Sequence, residues 1–212
     1  RLDVADASNL PIKIAFLPAA DIATFVHKGN VDLGITGQDI VAEHQADVME
    51  YEKLGFGKCK LCVQTPVKDK YTDPKTLSAK RITTSFTTLT KKYFKDLGVE
   101  CPEINYVTGS VEAACALGLA DAVVDLVETG TTMRAAGLEI LDVVLKTEAV
   151  LIGQKGLDPN CAKAKFIQKI HQRIKGFTLA QRNRLITYNC RADRIDEAKA
   201  ITPGVTAPTV LP

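Results

Sequence analysis

The chain has 212 residues, of which 46% are hydrophobic and 25% charged, with a formal net charge of +2. These proportions are typical of a soluble globular protein of one or two compact units, while the small charge and the lack of aromatic residues among basic ones exclude a nucleic-acid surface. No apolar run is long enough to span a bilayer and the N-terminus lacks a secretory pattern, so we expect no membrane contact and a cytoplasmic location.

Apolar runs alternate with helical patterns along the chain, which predicts an α/β fold with a largely parallel sheet and helices outside it. The runs lie near residues 2–5, 12–17, 31–35, 59–65, 81–84, 104–108, 122–127, 139–145, 148–153 and 185–190. Helices are predicted at 18–28, 86–97 and 111–117, opened by Pro18, Ser85 and Ser110 and each followed by glycine.

Two segments read as crossings between lobes. Residues 54–57, with two glycines, lead into the alternating residues 58–65 as if a strand left one lobe for another, and residues 143–153 return. The sequence therefore suggests two lobes with a cleft. Ligands of open α/β sheets gather at strand-to-helix turns, so Gly37, Ser85, 109–110 and 129–132 are neighbouring candidates for a site.

The most informative turn follows the apolar strand at 122–127 and contains Thr129, Gly130, Thr131 and Thr132. Unpaired backbone N–H groups at the start of a helix favour an anion, and glycine lets the chain approach a phosphate closely. The alternative is an ordinary buried strand before a capped helix.

Acidic residues around this strand favour the functional interpretation. Asp121 and Asp125 are expected on one face of the strand, because side chains alternate with period two, and Glu128 follows. A purely structural strand buried on both faces would be apolar throughout. Acids beside a phosphate fit a ligand that brings hydroxyls or a cation, such as a sugar phosphate with Mg²⁺.

The six cysteines lack the close, even spacing of a disulfide framework, so reduced thiols are expected. Cys59 and Cys62 have zinc-ligand spacing, but no second pair completes a site. The segment between Asp158 and Asp193 carries no acid and many basic residues. We interpret it as a long amphipathic helix, with Ile167, Ile170, Ile174 and Phe177 facing the core, rather than a polyanion-binding surface.

Several short sequence blocks, spread over nearly the whole chain, resemble one known family and follow one another in the same order as in that family. They are Val31–Asp39, Leu54–Leu61, Arg81–Phe86, Gly109–Ala113, Gly118–Thr132, Met133–Leu138 and Glu148–Ile152. Together they resemble the ATP phosphoribosyltransferase family, the first enzyme of histidine biosynthesis, in its long form. The resemblance implies condensation of ATP with phosphoribosyl pyrophosphate, in the presence of Mg²⁺, to N1-phosphoribosyl-ATP and pyrophosphate.

The resemblance also implies roles for individual residues. Thr129, Gly130, Thr131 and Thr132, with Glu128, would hold the 5′-phosphate, while Asp121 and Asp125 would take ribose hydroxyls or metal-bound waters. Glu112 would orient the sugar or adenine, although it is equally well explained as an acid complementing a helix dipole. Asp39 and Ser85 are weaker candidates that simple helix caps would also explain. No protein ligand to a metal is predicted.

The implied architecture is two α/β lobes arranged like a type II periplasmic binding protein, with the second lobe inserted into the first. The predicted boundaries are 1–61 and 152–202 for the first lobe, 62–151 for the second, and 203–212 for a linker. We expect an incomplete chain, without the N-terminal loop and the histidine-binding regulatory domain of the long form. The family further implies dimers that assemble into hexamers, with histidine as inhibitor.

Two other functions remain open from the residues. Another phosphoribosyltransferase of nucleotide metabolism shares a two-acid strand followed by a Thr-Gly turn, but on a single-lobed fold. A non-catalytic bilobal solute-binding protein would also have two crossings, yet it needs no phosphate-binding turn.

Overall fold

A computed structural model describes residues 4–211 of the chain, and within them lie ten strands and seven α-helices. The strands are β1 (Val4–Asp6), β2 (Lys13–Ala15), β3 (Leu33–Gly37), β4 (Val48–Lys53), β5 (Cys59–Pro66), β6 (Arg81–Thr84), β7 (Glu103–Tyr106), β8 (Ala122–Val127), β9 (Leu138–Thr147) and β10 (Ala149–Gln154). The helices are α1 (Ala19–His27), α2 (Gln38–Glu43), α3 (Thr87–Asp96), α4 (Ala113–Ala116), α5 (Thr131–Ala135), α6 (Ala162–Arg182) and α7 (Ile195–Ile201).

Five strands form the larger sheet, in the order β7-β6-β8-β5-β9. Strand β6 runs parallel to β7 and β8, whereas β5 is antiparallel to both β8 and β9. The largest fully buried side chains of its core belong to Phe94, Leu61, Leu77 and Ile82. The prediction of a largely parallel sheet is correct only for β6, β7 and β8, because an apolar run specifies burial and carries no strand direction.

A second sheet has three strands in the order β3-β10-β4, and β10 is antiparallel to both neighbours. Its core contains Ala23 and Val26 of α1 with Val150 and Ile152 of β10. Strand β4 was not predicted, because four of its six residues, Glu50, Tyr51, Glu52 and Lys53, are charged or polar. The first two strands form a separate antiparallel pair; the predicted run at 2–5 begins at Leu2 and Asp3, which lie outside the described residues.

The chain crosses between the two sheets twice, after β4 and after β9. Leu54 donates its N–H to the Ala149 carbonyl at 2.9 Å, and Ala149 donates to the Phe56 carbonyl at 3.0 Å. The Gly55 N–H is bound by the Glu148 carboxylate at 3.1 Å. These bonds join the outgoing and returning segments side by side, in the two regions where the sequence predicts crossings.

Two of the predicted helix caps are wrong. Helix α3 starts at Thr87 with Phe86 at its N-cap, so Ser85 does not cap it. Helix α4 spans four residues with Glu112 at its N-cap, and Ser110 instead adopts a left-handed conformation at φ +49°. The first helix does follow Pro18 as predicted. In α3 the Glu43 side chain, from elsewhere in the chain, accepts hydrogen bonds from the free N–H groups of the first turn, so no cap from Ser85 is needed.

Residues 176–212 form a compact unit separate from residues 1–175. Helix α6 confirms the predicted long helix, and Ile167 is buried on it. Phe177 was expected in the core but is 65% exposed, and the strand predicted at 185–190 does not form. Leu185 in that run is 95% exposed, so the apolar pattern there does not correspond to a strand of either sheet.

Candidate functional site

The turn that connects β8 to α5, residues 128–132, is named here the Gly130 turn. Gly130 has φ +75°, a left-handed conformation that only glycine adopts without strain, and it occupies the N-cap of α5. A side chain at this position would bring its Cβ within 2.8 Å of the Arg134 guanidinium. The backbone here is therefore shaped in a way that requires glycine.

The polar side chains of the Gly130 turn face solvent. Glu128, Thr129, Thr131 and Thr132 are all exposed, and the Thr129 and Thr131 hydroxyls lie 3.0 Å apart. The structure thus brings the five residues predicted to bind phosphate into one accessible turn. One of these two hydroxyls donates to the other, so its partner and the Thr132 hydroxyl keep an O–H that can donate to a ligand.

Arg134 is a member of this site that the sequence analysis missed. Its Nη2 atom donates to the Thr129 carbonyl at 2.9 Å, so the guanidinium folds back over the turn. It places a permanent positive charge beside the threonine hydroxyls. The available signal was its position four residues after Gly130, since residues four apart lie on the same side of a helix.

Asp125 lies near the carboxyl end of β8, three residues before Glu128. Its side chain is half-buried and accepts the N–H of Leu126 at 2.8 Å. Burial raises the pKa of the Asp125 carboxyl above its usual range, and the negative charge of Glu112 adds to that rise. Glu112 thus lies within electrostatic range of the Asp125 carboxyl.

Asp121 does not belong to this group, and the expectation that it lies beside the turn is wrong. It precedes β8, so a six-residue strand of about 20 Å separates it from the turn. There the Arg81 guanidinium binds it, with Nη2 3.0 Å from Oδ1. Two acids on one face of a strand can still stand at its opposite ends.

Ser85 lies at the same edge of the sheet as the Gly130 turn. It follows β6, whose residue Thr84 pairs with Val124 of the parallel strand β8. The neighbouring Thr84 organises this turn, because its hydroxyl donates to the Val124 carbonyl at 2.6 Å and accepts the Phe86 N–H at 2.9 Å. Ser85 itself is half-buried.

Asp39 is buried, with 4% exposure, rather than open to solvent. Thr147 donates its hydroxyl to Asp39 Oδ1 at 2.7 Å and accepts the Asp39 N–H at 3.0 Å. Thr147 on β9 pairs with Cys59 on β5. The next residue of β5, Lys60, pairs with Val127 on β8, the residue before Glu128. Strands two apart are about 10 Å apart, so Asp39 and the Gly130 turn approach each other across β5.

Among residues 4–211, no set of three His, Cys, Asp or Glu side chains is placed to hold a metal ion. The six cysteines are free thiols. Burial raises the pKa of the Cys115 thiol to about 11, and it also raises the pKa values of Cys59 and Cys62. These thiols are therefore poor nucleophiles at neutral pH.

Two family models match the chain. The model described as HisG, ATP phosphoribosyltransferase, matches residues 18–176, and that of the HisG C-terminal domain matches residues 180–212. The second match begins well before residue 203, where the sequence analysis placed the start of a linker. Pro212, the last residue of that predicted linker, lies outside the described residues.

Curated relatives agree with these models. The chain is 50% identical to an ATP phosphoribosyltransferase of Yarrowia lipolytica over 217 residues, which covers 100% of this chain and 72% of the relative. It is 49% identical to the Saccharomyces cerevisiae enzyme of the same name, covering 99% of this chain and 71% of that protein.

Solved structures show the fold. An ATP phosphoribosyl transferase (HisG:HisZ) complex from Thermotoga maritima matches with a TM-score of 0.73 at 22% identity, covering 84% of each chain. The ancestral amino acid-binding protein AncCDT-1 matches with a TM-score of 0.58 at 14% identity, covering 81% of this chain and 74% of that one. The predicted type II periplasmic-binding-protein-like architecture of two α/β lobes is thereby confirmed, with the five-stranded lobe inserted in the three-stranded one.

None of the helices described between residues 4 and 211 has the length and apolar character required to cross a membrane. A solute-binding protein shares the fold, but the match to a curated transferase at 50% identity extends over the full chain. The sequence blocks, the two-lobed fold and these matches agree, and the chain belongs to the ATP phosphoribosyltransferase family, the pentosyltransferases of the first step of histidine biosynthesis.

Proposed function

We propose that the Gly130 turn binds the 5′-phosphate of phosphoribosyl pyrophosphate, whose phosphoribosyl group the chain transfers to N1 of ATP. The observation that carries this proposal is the juxtaposition of the exposed Thr129, Thr131 and Thr132 of the Gly130 turn with the half-buried carboxylate of Asp125 before it. The turn offers donors to a dianion. The carboxylate offers acceptors to the hydroxyls of a ribose.

The phosphate site would combine three kinds of donor. Backbone N–H groups follow Gly130, the hydroxyls of Thr129, Thr131 and Thr132 are exposed, and Arg134 adds a cation. The exposed Glu128 carboxylate beside them would then accept from a sugar hydroxyl rather than contact the phosphate. Gly130 permits the close approach of the phosphate to the backbone.

Asp125 and Glu112 would bind the ribose. Carboxylates accept hydrogen bonds from neighbouring hydroxyls. Because Asp125 is half-buried, its carboxylate makes fewer hydrogen bonds to water, so a ribose hydroxyl that donates to it adds to the binding free energy. Asp121 has no such role in this proposal, because Arg81 already binds its carboxylate. Ser85 and Asp39 are assigned to the framework that holds the turns of the two lobes.

The reaction requires positioning more than proton transfer. The bond from ribose C1 to the pyrophosphate oxygen breaks and its electron pair leaves with pyrophosphate, while the lone pair of adenine N1 forms the new bond to C1. Adenine N1 carries no proton, so no general base is needed to create the nucleophile. Asp125 and Glu112 would hold the ribose in line with N1 and stabilise positive charge that develops at C1.

Mg²⁺ fits this site as a partner of the substrate. Described residues offer no three-ligand cluster, and Mg²⁺ commonly keeps several waters and binds through substrate phosphates with one or two carboxylates. Asp125 and Glu112 are the oxygen donors that could approach it, directly or through water. When bound, the ion would neutralise charge on the leaving pyrophosphate.

Calorimetry with phosphoribosyl pyrophosphate and Mg²⁺ tests the proposal, followed by an absorbance assay after ATP is added. We expect saturable binding that the Asp125→Asn substitution weakens, and turnover that requires both substrates. Binding of phosphoribosyl pyrophosphate that is unaffected by substitutions at both Asp125 and Thr131 would contradict the proposed site.

Regulation and assembly are proposed from the family. Residues 180–212 match the model of the HisG C-terminal domain, which supports histidine as a feedback inhibitor. From the family resemblance we further propose dimers that assemble into hexamers, and a cytoplasmic location. Light scattering with and without histidine tests the assembly, and cell fractionation tests the location. The lobe boundaries at residues 61/62 and 151/152 remain a prediction that limited proteolysis can check.

A further inference from the structure

Helix α2 lies between the cores of the two lobes. Its residue Ile40 packs against both the core of the three-stranded lobe and the core of the five-stranded lobe. Asp39, the preceding residue, forms the reciprocal pair with Thr147 at the end of β9. One end of this short helix is thus attached to the returning crossing.

The other end of α2 is attached to α3 of the five-stranded lobe through Glu43. The two oxygens of the Glu43 carboxylate accept the Thr88 N–H at 2.8 Å and the Leu89 N–H at 2.9 Å. The Thr87 hydroxyl lies 3.4 Å from the same group. Glu43 therefore supplies, from another lobe, the cap that residues 85 and 86 do not supply.

This contact is favourable for two physical reasons. The first N–H groups of a helix have no partner within the helix, and they stand at the positive end of its dipole, where a carboxylate is stabilised. Hydrogen bonds to a charged acceptor are stronger than those between neutral groups. A bond of this kind between two lobes favours one separation between them.

The start of α3 is also close to the proposed site. Helix α3 follows β6, and β6 and β8 are parallel neighbours with Thr84 opposite Val124, one residue before Asp125. Helix α2 begins at Gln38, directly after Gly37, which ends β3 and is the N-cap of α2. Glu43 thus connects α2, which follows Gly37 on one lobe, with the start of α3, near Asp125 on the other.

We propose that Glu43 is a positioning residue that sets the spacing of the two lobes for the second substrate, ATP. The inference rests on the proposed function, in which phosphoribosyl pyrophosphate binds to the Gly130 turn of the five-stranded lobe alone. ATP must then approach C1 from the cleft, where its position depends on both lobes. Loss of the Glu43 contact should weaken productive ATP binding while leaving phosphoribosyl pyrophosphate binding intact.

The test compares Glu43→Ala and Glu43→Gln with the wild type and with Glu139→Gln, a control at an exposed position on β9. The measurements are kcat, the KM for ATP, the Kd of phosphoribosyl pyrophosphate by calorimetry, and the melting temperature. We expect Glu43→Ala to raise the KM for ATP about tenfold, which corresponds to about 1.4 kcal/mol. Glu43→Gln keeps one acceptor without the charge and should fall between, near threefold.

Phosphoribosyl pyrophosphate binding should stay within about twofold in every variant, and Glu139→Gln should match the wild type. The inference is overturned if Glu43→Ala and Glu43→Gln leave the KM for ATP unchanged. It is also overturned if the variants bind both substrates more weakly to the same extent and their melting temperatures fall as well. If Glu43→Ala does not fold, the Gln variant decides by the same criteria. Failure of the wild type to bind phosphoribosyl pyrophosphate would instead overturn the proposed function, and this inference with it.

Discussion

Arg81 holds Asp121 through three hydrogen bonds at the start of two parallel strands. Nη2 lies 3.0 Å from Oδ1, and Nε lies 3.3 Å from Oδ2, which also accepts the Arg81 N–H at 2.9 Å. The Asp121 N–H in turn binds the Arg81 carbonyl at 2.8 Å. The guanidinium lowers the pKa of the Asp121 carboxyl below its usual range.

Asp121→Asn should therefore reduce stability and leave catalysis nearly intact. The pair is partly exposed, so solvent screening limits the loss of unfolding free energy to about 1 kcal/mol at pH 7. Because the folded-state pKa is lowered, this contribution is present above the unfolded value of 3.8 and disappears as the pH falls through the lower folded value. Urea unfolding at several pH values measures it, and kcat/KM should stay within about threefold of wild type.

Asp125→Asn should have the opposite effect. We expect kcat/KM to fall by about 100-fold or more, because a group that holds the reacting ribose is lost. Burial raises the pKa of the Asp125 carboxyl, so its ionisation opposes folding at neutral pH, and the Asn variant should unfold at an equal or higher urea concentration. That advantage should vanish as the pH drops below 3.8, where the acid is protonated in both states.

The two variants together distinguish the structural role expected of Asp121 from the functional role proposed for Asp125. If Asp121→Asn lost activity while Asp125→Asn kept it, the assignment of roles along β8 would be reversed. If both lost activity without any change in stability, the Arg81 pair would be functional rather than structural.

Gly130→Ala should weaken binding of phosphoribosyl pyrophosphate. An alanine there must adopt φ +75°, and its Cβ would come within 2.8 Å of Arg134 Nη1. Gly118→Ala is the matched control, because Gly118 has φ +70° and no atom within 4 Å of an added Cβ. Both should cost about 1 to 2 kcal/mol of stability from backbone strain, but only Gly130→Ala should weaken ligand binding, by about tenfold or more in calorimetry. Equal binding by the two variants would argue against phosphate recognition at this turn.

Thr147→Val should destabilise the chain by about 1 to 3 kcal/mol, because it removes the hydroxyl that both accepts from and donates to the buried Asp39. Thr147→Ser retains the hydroxyl and should lose about 1 kcal/mol or less. The free energy of unfolding in urea distinguishes them. If Val and Ser behave alike, the pair with Asp39 contributes little to the crossing between lobes.

Local sequence was enough to predict the parts of this protein whose chemistry is local. Glycine at position 130 and the threonines around it do form a turn that opens a helix, as their residue types predict. Pro18 and the following apolar pattern predicted the first helix, and the glycines at 55 and 57 marked a crossing between lobes. Each of these features depends on the conformational preferences of a few consecutive residues.

Tertiary structure decided the features that depend on partners distant in the chain. The direction of β5, the pairing of Arg81 with Asp121, the burial of Asp39 against Thr147 and the capping of α3 by Glu43 all join residues 40 or more positions apart. A single sequence shows which side chains are able to form such bonds. It does not show which of them come into contact, because that depends on the order of the strands in the sheets and on how the lobes pack together. For this reason the sequence alone placed both Asp121 and Asp125 at the site, and only the fold showed that Arg81 binds Asp121 at the far end of β8 while Asp125 lies near the Gly130 turn.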